Sequence, residues 1–325
     1  MNHTPREIKK IVEDILAAKK ETGGVRQVYF AGCGGSLGTL YPASKFMQVE
    51  FPCMKAGWIN SNEFVHSTPK DFGENSILVV GCHNGDTPES VAAARLGKEK
   101  GATVILLTGK EESDLVQYGD FIVLYTEEVS GEKAVCALLL AVELLNQTEG
   151  YAHYDAFLDG VSKIDGIVAR ACRQVEQRAL AFAEKYQDDK FIYTMGSGAS
   201  YSSAYMESIC ILMEMQWINS ACIHTGEYFH GPFEVTDANV PFIIQIAEGP
   251  CRALDERALK FLKTYGKRIE VLDAKELGLS TIDPSVVEYF NHSLFNNVYP
   301  VYNKALAEKR QHPLSTRRYM WKVEY

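Results

Sequence analysis

Val28-Tyr29-Phe30-Ala31-Gly32-Cys33-Gly34-Gly35-Ser36 is the stretch that decides the fold. A short apolar strand, Val28 to Ala31, runs into a glycine-rich turn, and a helical stretch, Leu40 to Val49, follows. Such a strand–turn–helix unit aims backbone N–H groups at whatever occupies the crevice beyond the strand. The unit recurs. Ile192-Tyr193-Thr194-Met195-Gly196-Ser197-Gly198-Ala199-Ser200 repeats it about 165 residues later. That period is far too long for a solenoid and suits a duplicated domain.

The flanking segments agree with a parallel α/β sheet in each half. Glu7 to about Lys20 carries Ile8, Ile11, Ile15 and Leu16 near one helical face. Ser76 to Val80, Ala102 to Leu107 and Phe121 to Tyr125 read as strands, and Lys133 to Gln147 as a long apolar helix. In the second half Lys163 to Lys185 is amphipathic, and Phe191 to Thr194, Phe242 to Ile246 and Arg268 to Leu272 read as strands. Strands alternating with helices through short glycine-bearing turns indicate parallel sheets covered by helices. The boundary falls in the polar stretch after Glu149, giving domains 1–160 and 161–325.

Composition narrows the function. A chain of 325 residues has room for two domains of similar size. Its 46% hydrophobic and 23% charged residues exclude disorder as the dominant state. A net charge of -9 excludes a non-specific nucleic-acid binder, which needs basic charge to displace counterions. It leaves room for a small phosphorylated ligand, because backbone N–H groups hold phosphate with little net positive charge. No run of about 18 apolar residues occurs, so no membrane span is expected. The first residues lack a signal-peptide apolar core, so the cytoplasm is the expected compartment. The eight cysteines show no metal-ligand spacing, and neither a zinc site nor a disulfide scaffold is expected.

Two turns carry donors. Residues 32–38, G-C-G-G-S-L-G, match neither the dinucleotide fingerprint nor a Walker loop. They read as a tight packing turn or as a phosphate cradle in which Gly35 offers its N–H and Ser36 its hydroxyl. Cys82-His83-Asn84-Gly85-Asp86-Thr87 follows the next strand, and His83, Asn84 and Thr87 add side-chain donors. Neighbouring strand ends are where such sheets bind ligands. The corresponding turn of the second half, Ala247-Glu248-Gly249-Pro250, lacks donors and holds a carboxylate. One half is therefore expected to bind phosphate and the other not.

Acid–base candidates lie in the second half. Ser208 to Ile218 is apolar all round and reads as a largely buried helix, with Glu214 inside it. Glu207, seven residues earlier, shares its face on an α-helical period. A buried carboxylate takes up a proton or finds a partner. Glu214 is thus a residue reaching the domain edge, half of an ion pair, or a general base lining a cleft. His230, before Gly231-Pro232 in a turn, is a solvated residue or an acid–base group near neutral pH.

With these residues the sequence resembles the sugar isomerase (SIS) family, and in pattern the isomerase half of glucosamine-6-phosphate synthase. The family's C-G-T-S turn corresponds to Cys33-Gly34-Gly35-Ser36, and its S-Q-S-G-E-T loop to Cys82-His83-Asn84-Gly85-Asp86-Thr87. Its G-E-L-K-H-G-P segment matches Gly226-Glu227-Tyr228-Phe229-His230-Gly231-Pro232. Its catalytic glutamate falls on Glu214 and its C-terminal lysine on Lys322. Two loop serines are replaced by Cys82 and Asn84, and no glutaminase domain with a nucleophilic cysteine is present. The chain as a whole, with its ending HPLSTRRYMWKVEY, is most similar to stand-alone fructosamine-6-phosphate deglycases.

The resemblance implies two tandem SIS domains, each a flavodoxin-like three-layer sandwich. It implies a phosphosugar-amine substrate anchored at Gly35, Ser36, His83, Asn84 and Thr87. His230 opens the sugar ring, and Glu214 moves a proton between C1 and C2. Lys322 forms an imine with the carbonyl, or holds a hydroxyl or the substrate's carboxylate. Neither metal nor cofactor is expected, and neither nucleic acid nor membrane is an expected partner. A homodimer with active sites at the subunit interface is implied, because relatives draw this histidine from the neighbouring subunit. Two other readings stand beside the deglycase: an aldose–ketose phosphosugar isomerase, and a non-catalytic sugar-phosphate sensor.

Overall fold

The computed structural model describes residues 5–324, which fall into two compact units divided between Ser162 and Lys163. In the first, α1 is Pro5–Lys19, β1 Gln27–Gly32, α2 Gly34–Glu50, β2 Lys55–Asn60 and α3 Ser61–His66. Then follow β3 Ser76–Cys82, α4 Pro88–Glu99, β4 Thr103–Thr108, β5 Phe121–Leu124 and α5 Lys133–Thr148. All five strands are parallel, in the order β2-β1-β3-β4-β5. The chain winds one way from β1 to β2 and the other way from β3 onward. The crevice beyond the carboxyl ends of β1 and β3 is therefore the switch point at which such sheets take ligands.

Strand alternation builds three layers. Tyr29, Ala31, Leu78, Val80, Val104 and Leu106 pack with Phe64, Ala93 and Ala94 of α3 and α4. Val28, Phe30, Ile77 and Val79 meet Val12, Met47, Leu140 and Leu144 of α1, α2 and α5 on the other face. Phe30 and Phe64 are wholly enclosed, and each such ring contributes about 1.5–3 kcal/mol of apolar burial.

α6, Tyr154–Tyr186, starts nine residues before the amphipathic stretch expected from the sequence, and the division between the units falls within it. The second unit continues with β6 Phe191–Gly196, α7 Tyr201–Met206, a π-helical stretch Glu207–Met213, and β7 Asn219–His224. β8 Pro241–Ile246, α8 Arg252–Tyr265, β9 Arg268–Asp273 and α9 Asn291–Lys309 complete it. Its four strands are parallel in the order β7-β6-β8-β9, the arrangement of the first unit one strand shorter. Met195, Phe242, Ile244 and Ile246 pack on Ala258 and Leu262 of α8. Each unit is a parallel sheet flanked by helices, the tandem α/β architecture anticipated.

Local readings are refined in two places. α2 begins at Gly34, so the glycine turn is itself the helix start. Gly34 has φ +52° and Gly198 has φ +54°, the same left-handed corner in both repeats. The expected helix from Ser208 to Ile218 is corrected: it is π-helical to Met213 and then turns. Glu214 N–H donates to Ile209 O and Gln216 N–H to Ile211 O, each five residues back.

Candidate functional site

In the first unit Cys33 is the N-cap of α2 and Thr87 that of α4, with Pro88 at the first helical position. Gly34 and Gly35 stand in the first turn of α2, where N–H groups have no acceptor within the helix. Ser36 ends that turn, and its Oγ accepts a hydrogen bond of 2.8 Å from Lys133 Nζ. Cys82 Sγ donates to Thr87 Oγ1 at 3.3 Å, which fixes the turn's last hydroxyl. Gly85 has φ +71°, and a Cβ there would lie 2.0 Å from Ser113 Oγ, so this corner takes only glycine.

His83 and Asn84 are exposed on that turn, and His83 Nδ1 is hydrogen bonded to Tyr125 OH. Partial burial, with the Lys133 and Lys110 charges, holds the imidazole below its ordinary range. The structure thus brings Gly35 and Ser36 to one adjoining strand end, and His83, Asn84 and Thr87 to the other.

Sequence reasoning missed Lys133 and Tyr125. Lys133 opens α5, is 7% exposed, and lies 4.9 Å from the Tyr125 ring centroid. Burial pushes the ammonium down to about 8. The available signal was a single cation opening the otherwise apolar run Lys133 to Val142.

The switch point of the second unit is occupied by the protein itself. Asp255 of α8 is fully buried. It accepts from Ser197 Oγ at 2.7 Å, Thr225 Oγ1 at 2.7 Å and Ala247 N–H at 3.0 Å. Burial pushes its carboxyl up to about 6 against these bonds. Glu248 was the carboxylate expected to keep phosphate from this turn. Glu248 accepts from Ser280 at the surface, and Asp255 is the internal anion that takes the donors.

Glu214 is not enclosed within a helix, as the sequence suggested. It stands just past the π-helical stretch, its side chain 24% exposed, and its Oε1 meets Arg317 Nη2 at 2.9 Å. Burial raises this carboxyl, and the Arg317 charge and hydrogen bond oppose the rise. The wider i→i+5 turn also breaks the shared face with Glu207. Glu207 points inward to Asn303 Nδ2 at 2.9 Å, and burial pushes it up to about 8.

Glu214, Arg317, Arg318, Trp217 and Tyr319 line a pocket of about 560 Å³ beside Asn219, the first residue of β7. Arg318 lies 4.2 Å over the Trp217 ring. Lys322 Nζ donates to Arg317 O at 2.5 Å, so the tail lysine joins the backbone of this wall.

His230 is exposed on the turn after β7, its N–H donating to Glu227 O at 2.9 Å. β7 is six residues long, so Glu214 and His230 stand at opposite ends of a strand of about 16–20 Å. A single copy of this strand does not bring the two together. Among the described residues, no helix is long and apolar enough to cross a membrane.

The SIS domain model matches residues 24–146, the first of the two sandwiches. The chain belongs to the SIS domain family. Among its relatives is the fructosamine deglycase FrlB of Bacillus subtilis strain 168. The two are 40% identical over 324 residues, covering 98% of this chain and 97% of that one. The fructoselysine 6-phosphate deglycase of Escherichia coli K12 is 24% identical over 85% of this chain and 80% of its own.

Among solved structures, a Salmonella typhimurium LT2 protein bearing the provisional name phosphosugar isomerase superposes with TM-score 0.95. It is 45% identical, with 100% of both chains covered. The C-terminal domain of glucosamine-fructose-6-phosphate aminotransferase from Francisella tularensis has TM-score 0.77 at 15% identity. It covers 95% of this chain and 94% of that one, and shares the fold.

Proposed function

We propose that the chain is a deglycase of 6-phosphorylated Amadori compounds, releasing hexose 6-phosphate and a free amino acid. The observation that carries this is the donor-lined crevice between β1 and β3, in a chain 40% identical to a fructosamine deglycase along its length. Ser36, His83, Asn84 and Thr87 anchor the phosphate, with N–H help from Gly35. His230 is the acid–base group that opens the ring. Glu214 takes a proton from C1 and returns it at C2, turning the keto-amine through an enaminol into an imine. Water adds to the imine carbon and the C–N bond breaks, releasing the amine. General acid–base steps of this kind each contribute about 10²–10⁴ in rate.

The Glu214–Arg317 pair supports the assignment of the base. Burial raises the basicity of this carboxyl beside an open pocket, while the Arg317 charge favours its ionised form. The separation of His230 from Glu214 along β7 supports a homodimer in which one copy supplies the histidine to the other's site. Lys322, tied to the backbone of Arg317, holds the wall of the Glu214 pocket in this reading.

The test is a panel of 6-phosphofructosyl amino acids, scored for free amino acid and hexose 6-phosphate, with fructose 6-phosphate alongside. Release of both products from the adducts is the expected result. Interconversion of fructose 6-phosphate with an aldose phosphate, without cleavage of any adduct, would replace the deglycase by an isomerase. Binding without turnover of either would leave a sensor.

A further inference from the structure

We propose that Lys133 is the counterion that the crevice of the first unit reserves for its ligand, and that a phosphate monoester dianion completes the ion pair. The inference deepens the phosphosugar reading of that crevice and rests on it.

The observation is a buried cation with no anion. Lys133 is 7% exposed, and the chain carries 42 acidic residues, yet among the described residues no carboxylate pairs with it. Three shielded arginines are treated differently. Arg252 has Asp273 at 2.7 Å, Arg268 has Asp189 at 2.7 Å, and Arg317 has Glu214 at 2.9 Å. Lys133 has only a serine hydroxyl at 2.8 Å and the face of Tyr125. A buried charge held by neutral groups alone is a standing cost, and proteins commonly remove it by pairing. Here the cost persists at a switch point, where a ligand's charge would cancel it.

The hydrogen-bond inventory fits the same occupant. An ammonium has three protons, and one is spent on Ser36. By donating to Ser36 Oγ, Lys133 takes up a lone pair there and leaves the serine's own proton to donate elsewhere. Ser36, the first N–H groups of α2 and the Thr87 turn are neutral donors. Lys133 is the formal charge among them. His83 beside it is held below its ordinary range by partial burial and by the Lys133 and Lys110 charges. Burial raises the Tyr125 phenol and keeps it neutral.

The experiment uses the full chain, inorganic phosphate and fructose 6-phosphate, with calorimetric affinity and thermal midpoint as readouts. For Lys133→Met the expected result is a midpoint without ligand no lower than wild type, with affinity for both probes weakened at least about 30-fold. Lys133→Arg keeps the charge and should retain measurable binding. If Met fails to fold, Lys133→Gln, which can still donate to Ser36, takes its place with the same expected loss. A variant that loses stability yet binds both probes like wild type would make Lys133 a structural residue and overturn the proposal. So would a wild-type protein that binds neither probe. Lysine-dependent binding together with no cleavage of any phosphorylated adduct would leave Lys133 in its role and refute the deglycase reading alone.

Discussion

Glu207→Gln should stabilise the protein at neutral pH, with a gain that grows as pH rises. The Glu207 carboxyl is wholly enclosed, touched by Asn303 Nδ2 at 2.9 Å, and burial lifts it from the ordinary 4.5 to about 8. Between those values the folded protein holds a proton that the unfolded chain has released. The contribution of this group is therefore full below about 4.5 and is lost as the pH climbs through about 8. The slope is about 1.4 kcal/mol per pH unit, so about 3 kcal/mol has gone by pH 7. Glutamine has the same shape, its carbonyl still accepts from Asn303, and it holds no titrating proton. The buried Asp255, lifted to about 6, tilts both proteins alike and cancels in their difference. The assay is the urea midpoint of wild type and variant at several pH values from about 5 to 8.5. The difference should be small at the acid end and rise to about 3 kcal/mol near pH 7. A difference of one size at every pH would refute the assignment of the buried proton to Glu207. Turnover should survive, because Glu207 faces the core and not the Glu214 pocket.

Glu214→Gln and His230→Ala should each abolish adduct cleavage with the fold intact by circular dichroism. If the two residues meet across a dimer, refolding an equal mixture of the inactive variants restores about a quarter of wild-type activity, since half of the dimers regain one site. A mixture as inactive as its components would confine the site to one chain. Arg317→Gln removes the charge that opposes the burial of Glu214, so the acid limb of the kcat/KM profile should move to higher pH. Arg317→Lys should move it less, and an unmoved limb in the glutamine variant would separate Arg317 from the base.

What the sequence disclosed followed from local patterns. The glycine corners at Gly34 and Gly198 need a left-handed backbone whatever surrounds them, and the repeat was visible there. Strands buried on both faces, such as Ser76–Cys82, showed as apolar runs. β2 and β7 were not anticipated, because each is an edge strand with partly exposed, mixed residues (Lys55-Ala-Gly-Trp-Ile-Asn and Asn219-Ser-Ala-Cys-Ile-His). The π-helical turn hid for a different reason. A pattern of apolar residues all round fits any helical period, so nothing in Ser208 to Ile218 distinguished five-residue from four-residue closure. That misassigned the buried acid, which is Glu207. Lys133, Arg317 and Asp255 find their partners 97, 103 and 58 residues away in Ser36, Glu214 and Ser197, separations that no local motif encodes.

The two sandwiches make opposite use of one geometry. Each has a strand order that opens a crevice between its first and third strands, and each turns its first corner on a left-handed glycine. In the second unit the crevice is closed from within. Asp255 takes Ser197, Thr225 and the Ala247 N–H, while Asn291, opening α9, accepts from Glu248 N–H at 2.8 Å and donates to Glu248 O at 2.7 Å. In the first unit the helix that opens the corresponding wall, α5, brings a lysine with no carboxylate partner among the described residues. The internal carboxylate of one half and the open ammonium of the other are complementary answers to the same set of inward-facing donors. A site that supplies its own anion repels another, and a site that supplies only a cation requires one. That asymmetry, more than the net charge of -9, makes an anionic ligand the expected occupant of the first unit.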